Sequence, residues 1–225
     1  MNKNNVSGAF APETAAPPEI KPSAFYGAVK RFLDLAFAVP ALLLAGIPML
    51  IIALIIRLDT RDSALFTQTR VGRNGKEFAC YKFRTMRKDA PRYRATKDFA
   101  DADAFITRTG KFLRNTSIDE LPQLINIIRG DMSFIGPRPL IPAETKVHAL
   151  RERYGVYQLR PGISGYAQVN GRDMVTDEQK AALDRWYLEH FSLKTDIKIL
   201  FFTVFKVLSR ENIHQGAVET EEDRK

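Results

Sequence analysis

LAFAVPALLLAGIPMLIIALII, residues 35–56, is a run of 22 residues without a single charge. A helix of that length, rising about 1.5 Å per residue, is long enough to cross the hydrocarbon of a bilayer. Thirteen of its residues are Leu, Ile, Val or Phe, and together they favour insertion by about 4–8 kcal/mol. Pro40 and Pro48, with Gly46 near the second, disturb the backbone ladder in mid-run. Each costs about 3 kcal/mol in a straight helix, less where neighbouring groups re-satisfy the freed carbonyls. The flanks add a second constraint. Lys30 and Arg31 precede the run, Arg57 and Arg61 follow it, and basic residues tend to stay on the cytoplasmic side. A helix that enters one leaflet, breaks near Pro48 and returns satisfies prolines and flanks together. A spanning helix has to export one basic pair, and a buried helix of a soluble core is the third alternative.

The formal charge of +8 is concentrated just beyond this run, because residues 57–97 hold 12 Lys/Arg against 4 Asp/Glu and so account for the whole surplus. Such a block attracts phosphate, whether in nucleic acid, in a nucleotide or in a lipid headgroup. No zinc-finger spacing or interleaved stacking aromatics accompany it, so nucleic acid is not expected as a partner. The single cysteine, Cys80, excludes an internal disulfide, and nothing at the amino end resembles a cleavable signal. The globular part is therefore expected in a reducing, cytosolic setting, with Cys80 as a small buried apolar residue.

The leader, residues 1–24, is rich in proline and small polar residues and has little to bury. After the apolar run, residues 64–68 and 77–84 read as short strands around the turn Gly72-Arg-Asn-Gly75. A helix containing residues 105–113 follows, then another from about Asp119 to Arg129, ended by Gly130. Residues 130–171 are rich in Gly and Pro and read as loops. Residues 177–190 read as a helix. Residues 197–208 carry nine large apolar or aromatic residues with Lys198 and Lys206 among them, a pattern that suits a helix in the headgroup plane or an ordinary core helix.

Two adjacent carboxylates in Arg114-Asn-Thr-Ser-Ile-Asp-Glu-Leu-Pro-Gln123 have two readings. Ser117 and Glu120 have capping-box spacing, and starting the helix at Asp119 places Pro122 in the tolerated first turn with Asp119 as the cap. As chemistry, neighbouring helical residues point about 100° apart, which favours separate roles: one carboxylate attacks phosphorus while the other binds a hard divalent cation. Arg114 then neutralises phosphoryl oxygens. Arg138, set between Pro137 and Pro139, sits on a loop whose stiffness limits the entropy lost when an oxyanion docks, although such a loop alone is also an ordinary turn. The segment from Arg160 to Arg172 supplies glycines, amides and cations suited to a uracil, a ribose or a sugar.

Taken together these motifs resemble the monotopic phosphoglycosyl transferases, the bacterial sugar transferase family that starts glycoconjugate assembly on undecaprenyl phosphate. The likeness runs through Lys30-Arg-Phe-Leu-Asp34, Phe66-Thr-Gln68, Tyr81-Lys-Phe-Arg-Thr-Met86, Ser117-Ile-Asp-Glu-Leu-Pro-Gln123, Gly130-Asp-Met-Ser-Phe-Ile-Gly-Pro-Arg-Pro139, Arg160-Pro-Gly-Ile-Ser-Gly165 and Gln168-Val-Asn-Gly-Arg172 to Asp196. The resemblance implies an α+β, mainly helical fold: a small cytosolic catalytic domain with an amino-terminal re-entrant membrane helix and interfacial amphipathic helices. Residues 1–24 are then a flexible leader, 25–60 the re-entrant helix, 61–210 the catalytic domain and 211–225 a polar tail.

The same resemblance implies the chemistry. Asp119 attacks the sugar-bearing phosphate of a UDP-sugar, UMP leaves, and polyprenyl phosphate takes the phosphosugar from the enzyme. Glu120 assists with Mg2+, to which Asp119 also contributes. Arg114, Arg138 and Lys82 bind phosphate, and Gln168, Asn170 and Arg172 bind the nucleotide or sugar. Lys30, Arg31, Asp34 and Pro48 anchor the membrane helix among lipids, on the cytoplasmic face of a bacterial inner membrane. The family often breaks this helix at a Ser-Pro pair, whereas here Ile47 precedes Pro48, so Gly46 and Pro40 are expected to supply the break. The sugar and the oligomeric state are left open.

Overall fold

The computed structural model describes residues 20–90, 102–171 and 175–209. Most of the expected leader, the expected tail at 211–225 and Arg172 lie outside the described residues.

The apolar run lies within α1, Ala24–Thr60, a helix of 37 residues with both prolines inside it. Ser23 caps its start by accepting the Tyr26 N–H, and Arg61 closes it in the left-handed region at φ 52° with its N–H on the Arg57 carbonyl. The helix is continuous through Pro48, so the expected break there does not take the form of a lost helical segment. By length and composition α1 is able to cross a membrane. One face carries Tyr26, Lys30, Asp34, Ala38 and Ile56, all buried. Phe32, Phe37, Leu43, Leu44, Ile47, Leu50 and Leu54 of the same helix are all exposed, an apolar surface far larger than water-soluble domains leave uncovered.

The strands expected around residues 72–75 form an antiparallel hairpin of β1, Leu65–Val71, and β2, Glu77–Phe83. Its turn places Asn74 and Gly75 at positive φ, which Asn and Gly accept most readily. Next come α2, Arg108–Asn115, capped by the Thr107 hydroxyl, and α3, Gln123–Arg129, ended by Gly130 at φ 90°. The region 130–171 is more ordered than its glycines and prolines imply. It contains β3, Ser133–Ile135, α4, Thr145–Arg153, β4, Gly162–Ser164, which pairs in parallel with β3, and α5, Tyr166–Asn170. The sequence signal of α4 is weak because only Val147 and Arg151 of its nine residues are buried. The described residues end with α6, Asp177–Glu189, and α7, Leu193–Ser209.

Three apolar clusters hold these elements together. Ala38 of α1 joins Cys80, Leu124, Ile127 and Met132, which settles Cys80 as a buried packing residue. Ile56 of α1 joins Phe83 and Leu113, with Met49, Ile52, Ala53, Ile118 and Leu121 against them. The third cluster gathers Ile135, Leu159, Tyr187, Leu188 and Ile199. Helix α7 combines a core residue, Ile199, with an exposed apolar face of Ile197, Leu200, Phe201, Val204 and Phe205.

The polar residues at the start of α1 fasten it to this body. Asp196 accepts from the hydroxyls of Tyr26 and Tyr187, each at 2.6 Å, and is paired with Lys30. Arg31 donates to the Ile127 and Ile128 carbonyls at the end of α3, and Asp34 accepts from the Ser133 hydroxyl and the Phe134 N–H. The bonds of the expected interfacial anchors Lys30, Arg31 and Asp34 thus run into the protein.

Candidate active site

The two carboxylates do not open a helix. Ser117 sits at φ 56° in the left-handed region and makes no side-chain cap, and Ile118–Glu120 form a separate 3-10 turn. Pro122 then stands at the start of α3, where its missing N–H costs nothing. The capping explanation of Asp119 and Glu120 therefore fails. Ile118 and Leu121, on either side of the pair, pack on the Ile56, Phe83 and Leu113 cluster, which holds the turn beside the carboxyl-terminal part of α1.

Three cations converge on this turn. Lys82 of β2 places its Nζ 2.7 Å from Glu120 Oε1. Its strand is fixed by Asn126 of α3, fully buried, which accepts the Tyr81 N–H at 3.0 Å and donates to the Ala79 carbonyl at 2.7 Å, so that a side chain does the work of a neighbouring strand. Arg114, in the last turn of α2, donates through Nε to the Thr85 hydroxyl at 2.7 Å just beyond β2. Arg138 brings an Nη to 3.9 Å from Glu120 Oε1.

The Pro-Arg-Pro loop that carries Arg138 is stiffer than proline alone makes it. Four consecutive carbonyls, of Pro137, Arg138, Pro139 and Leu140, accept from Gly162 N–H, Arg151 Nη1, Arg70 Nη1 and Val71 N–H at 2.8–3.0 Å. Burial lowers the Arg70 guanidinium's pKa, and the positive charge of Arg138 nearby lowers it further. Arg70, Asn126 and Arg151 were not singled out in the sequence. Asn126 leaves one trace there, a polar residue within the apolar stretch of α3.

Burial raises the Asp119 carboxyl above the ordinary carboxylate range. Lys82 pulls it back most strongly, Glu120 pushes it up again, and Arg114 and Arg138 draw it down. A half-buried carboxylate balanced in this way is more basic than a solvated one, and it faces the cations that an incoming phosphate needs.

The expected nucleotide-binding residues lie on a different element. Gln168 donates to the Ile163 carbonyl and Asn170 to that of Tyr166, and α5, which bears both, packs against α6 and α7. Among the described residues no group of three or more His, Cys, Asp or Glu side chains is placed to hold a metal ion. The donor set of Asp119 and Glu120 still fits Mg2+, which takes one or two carboxylates and completes its shell from water and substrate phosphate.

Residues 25–210 match the family model described as bacterial sugar transferase. The chain belongs to the bacterial sugar transferase family. An uncharacterized sugar transferase of Bacillus subtilis, EpsL, is 40% identical over 191 residues, covering 83% of this chain and 91% of that protein. A UDP-glucose:undecaprenyl-phosphate glucose-1-phosphate transferase of Caulobacter vibrioides is 41% identical over 197 residues, 82% of this chain and 72% of that one. An undecaprenyl-phosphate glucose phosphotransferase of Komagataeibacter xylinus is 40% identical over 195 residues, 81% of this chain and only 36% of the longer relative. This sugar transferase is thus an enzyme whose matched region includes every motif built into the site above.

Proposed function

We propose that this sugar transferase moves a sugar 1-phosphate from a UDP-sugar to polyprenyl phosphate, undecaprenyl phosphate in particular, and releases UMP. The observation that carries the proposal is the turn Ile118–Glu120, where a carboxylate of raised basicity faces Lys82, Arg114 and Arg138 beside a membrane-type helix. The names of the Caulobacter and Komagataeibacter relatives support the acceptor.

In the first step an Asp119 carboxylate oxygen bonds to the sugar-bearing phosphorus, the bridging P–O bond breaks, and its electron pair leaves with UMP. In the second, a phosphate oxygen of the lipid bonds to the same phosphorus, the aspartyl O–P bond breaks, and the carboxylate is regenerated with polyprenyl diphosphate sugar as product. Arg138 and Lys82 reduce the repulsion between two anions that must approach within bonding distance, and Arg114 binds phosphoryl oxygens. Bound Mg2+ supplies charge neutralisation and orientation of the diphosphate, held by Glu120 with Asp119. Gln168, Asn170 and Arg172 are proposed to contact the nucleotide or sugar.

The reading places the enzyme on the cytoplasmic face of a bacterial inner membrane, with α1 entering and leaving the same leaflet. Support comes from the basic flanks and from contacts along α1. Its start bonds to Asp196, its middle packs through Ala38, and its end packs through Ile56, all on one body. A bilayer between the two ends is hard to accommodate with those contacts.

A panel of UDP-sugars incubated with Mg2+ and undecaprenyl phosphate tests the activity. UMP release with at least one donor is expected, together with a phosphosugar adduct on the peptide containing Asp119 when acceptor is withheld. No UMP from any donor removes the activity, and an adduct on another residue removes the assignment of Asp119.

A further inference from the structure

Arg151 and Asp184 are among the most deeply buried charged side chains of the described residues, at 2% and 1% exposure. Asp184 Oδ2 accepts from Arg151 Nε at 2.9 Å and Nη2 at 2.6 Å, while Nη1 reaches the Arg138 carbonyl at 2.8 Å. The pair joins α4 to α6, and outside those helices Arg151 reaches the Tyr157 hydroxyl and the backbone of Arg138, the residue that faces Glu120. We infer that Arg151, oriented by Asp184, is a positioning residue for the site: it sets the direction in which Arg138 presents its guanidinium to phosphate. This rests on the proposed reaction.

A buried ion pair is weak evidence for stability, since two charges must be desolvated and an apolar pair of similar volume often serves as well. What an apolar pair does not provide is a donor for the Arg138 carbonyl. Two neighbouring carbonyls of the loop, those of Pro137 and Leu140, are held by backbone N–H groups, and Pro139 is held by Arg70. Lysine in place of Arg151 has a single nitrogen and does not hold Asp184 and the carbonyl in the geometry of a planar fork. The loop then loses the bond at Arg138 itself, and the bonds on either side of it, from Gly162 and Val71, are expected to open more often.

A double-mutant cycle distinguishes positioning from general support. Arg151→Lys is expected to lower kcat/KM for UMP release about a hundredfold, the loss that follows misplacement by about an ångström. In an Arg138→Gln background the same change is expected to lower it less than about threefold, because the group being aimed is gone. Equal losses in both backgrounds overturn the inference. The variant Arg151→Met with Asp184→Leu fills the space without charge and guards against misfolding, and full activity in that folded variant also overturns it. Amide exchange at Gly162 and Val71, whose N–H groups bond the loop, gives a readout independent of turnover. Faster exchange in Arg151→Lys supports the clamp even if the wild-type enzyme releases no UMP, in which case the proposed reaction fails and the clamp stands. Unchanged exchange with unchanged turnover refutes the clamp.

Discussion

Lys82 Nζ lies 2.7 Å from Glu120 Oε1, and the same lysine is the strongest of the cations that hold down the pKa of Asp119. One ammonium thus serves both carboxylates. It pairs directly with one and keeps the other ionisable against the cost of burial.

The acid limb of the pH profile follows from that arrangement. In the proposed reaction Asp119 attacks as the carboxylate, so kcat/KM is expected to fall as pH falls through its raised pKa. Removing Lys82 removes the largest opposing influence, and Lys82→Met is expected to shift the limb to higher pH as well as lower the maximum. Lys82→Arg should leave the limb closer to that of the wild type. A limb that does not move in Lys82→Met would show that another group controls it.

Asp119→Asn is expected to abolish turnover and to raise thermal stability at pH 8. A carboxyl whose folded-state pKa lies above its unfolded value favours the folded state fully below the unfolded value, and that contribution is lost as pH rises through the folded value. At pH 8 the wild type has lost it, whereas the amide is uncharged at every pH and does not incur the cost of a buried charge. The gain in Tm should shrink as pH is lowered toward 4, which paired melting curves in detergent will show. A variant that melts lower than the wild type at pH 8 contradicts the electrostatic account of the turn.

The hairpin and the carboxylates were readable from short-range pattern, for β-alternation flanking Gly72-Arg-Asn-Gly75 and an acidic pair before Pro122 are local facts. The turn around Asp119 was not. A serine at φ 56° is unusual for a residue other than glycine, and no residue type announces it; where the pattern predicts a helix from Asp119, the chain forms a 3-10 turn over Ile118–Glu120 and α3 starts only at Gln123. Arg151 and Asp184 lie on helices separated by β4 and α5. Their pairing depends on how α4 meets α6, which neither helix encodes by itself. Asn126 was visible as a misfit in an apolar stretch, but its partners in β2 were not.

Gly110→Ala tests how Arg114 is set. A Cβ there would lie 2.0 Å from the Thr85 carbonyl oxygen, which already accepts the Thr107 N–H at 3.0 Å. Helix α2 must move away from the end of β2, taking Arg114 from the Thr85 hydroxyl. A loss of about 2–3 kcal/mol is expected from such overpacking, with a fall in kcat beyond what the unfolded fraction explains. Gly27→Ala is the control, since nothing lies within 4 Å of its added carbon. Urea titration and kinetics on both variants decide the matter, and equal behaviour of the two would be inconsistent with the close approach at Thr85.

Labelling from the two sides of the membrane tests the path of α1. A straight helix of this length extends about 55 Å, well beyond the hydrocarbon thickness of about 30 Å, so length alone is compatible with crossing. The contacts argue otherwise, because Tyr26 near one end and Ile56 near the other are both buried in the protein. Lys21 and Ser63 flank the helix and are exposed, and the native Cys80 is buried and gives little background. Lys21→Cys and Ser63→Cys are therefore expected to react with an impermeant maleimide in inside-out vesicles and to be protected in right-side-out ones. A spanning helix gives opposite patterns for the two positions. That result would leave no way for both ends of α1 to hold the contacts they make.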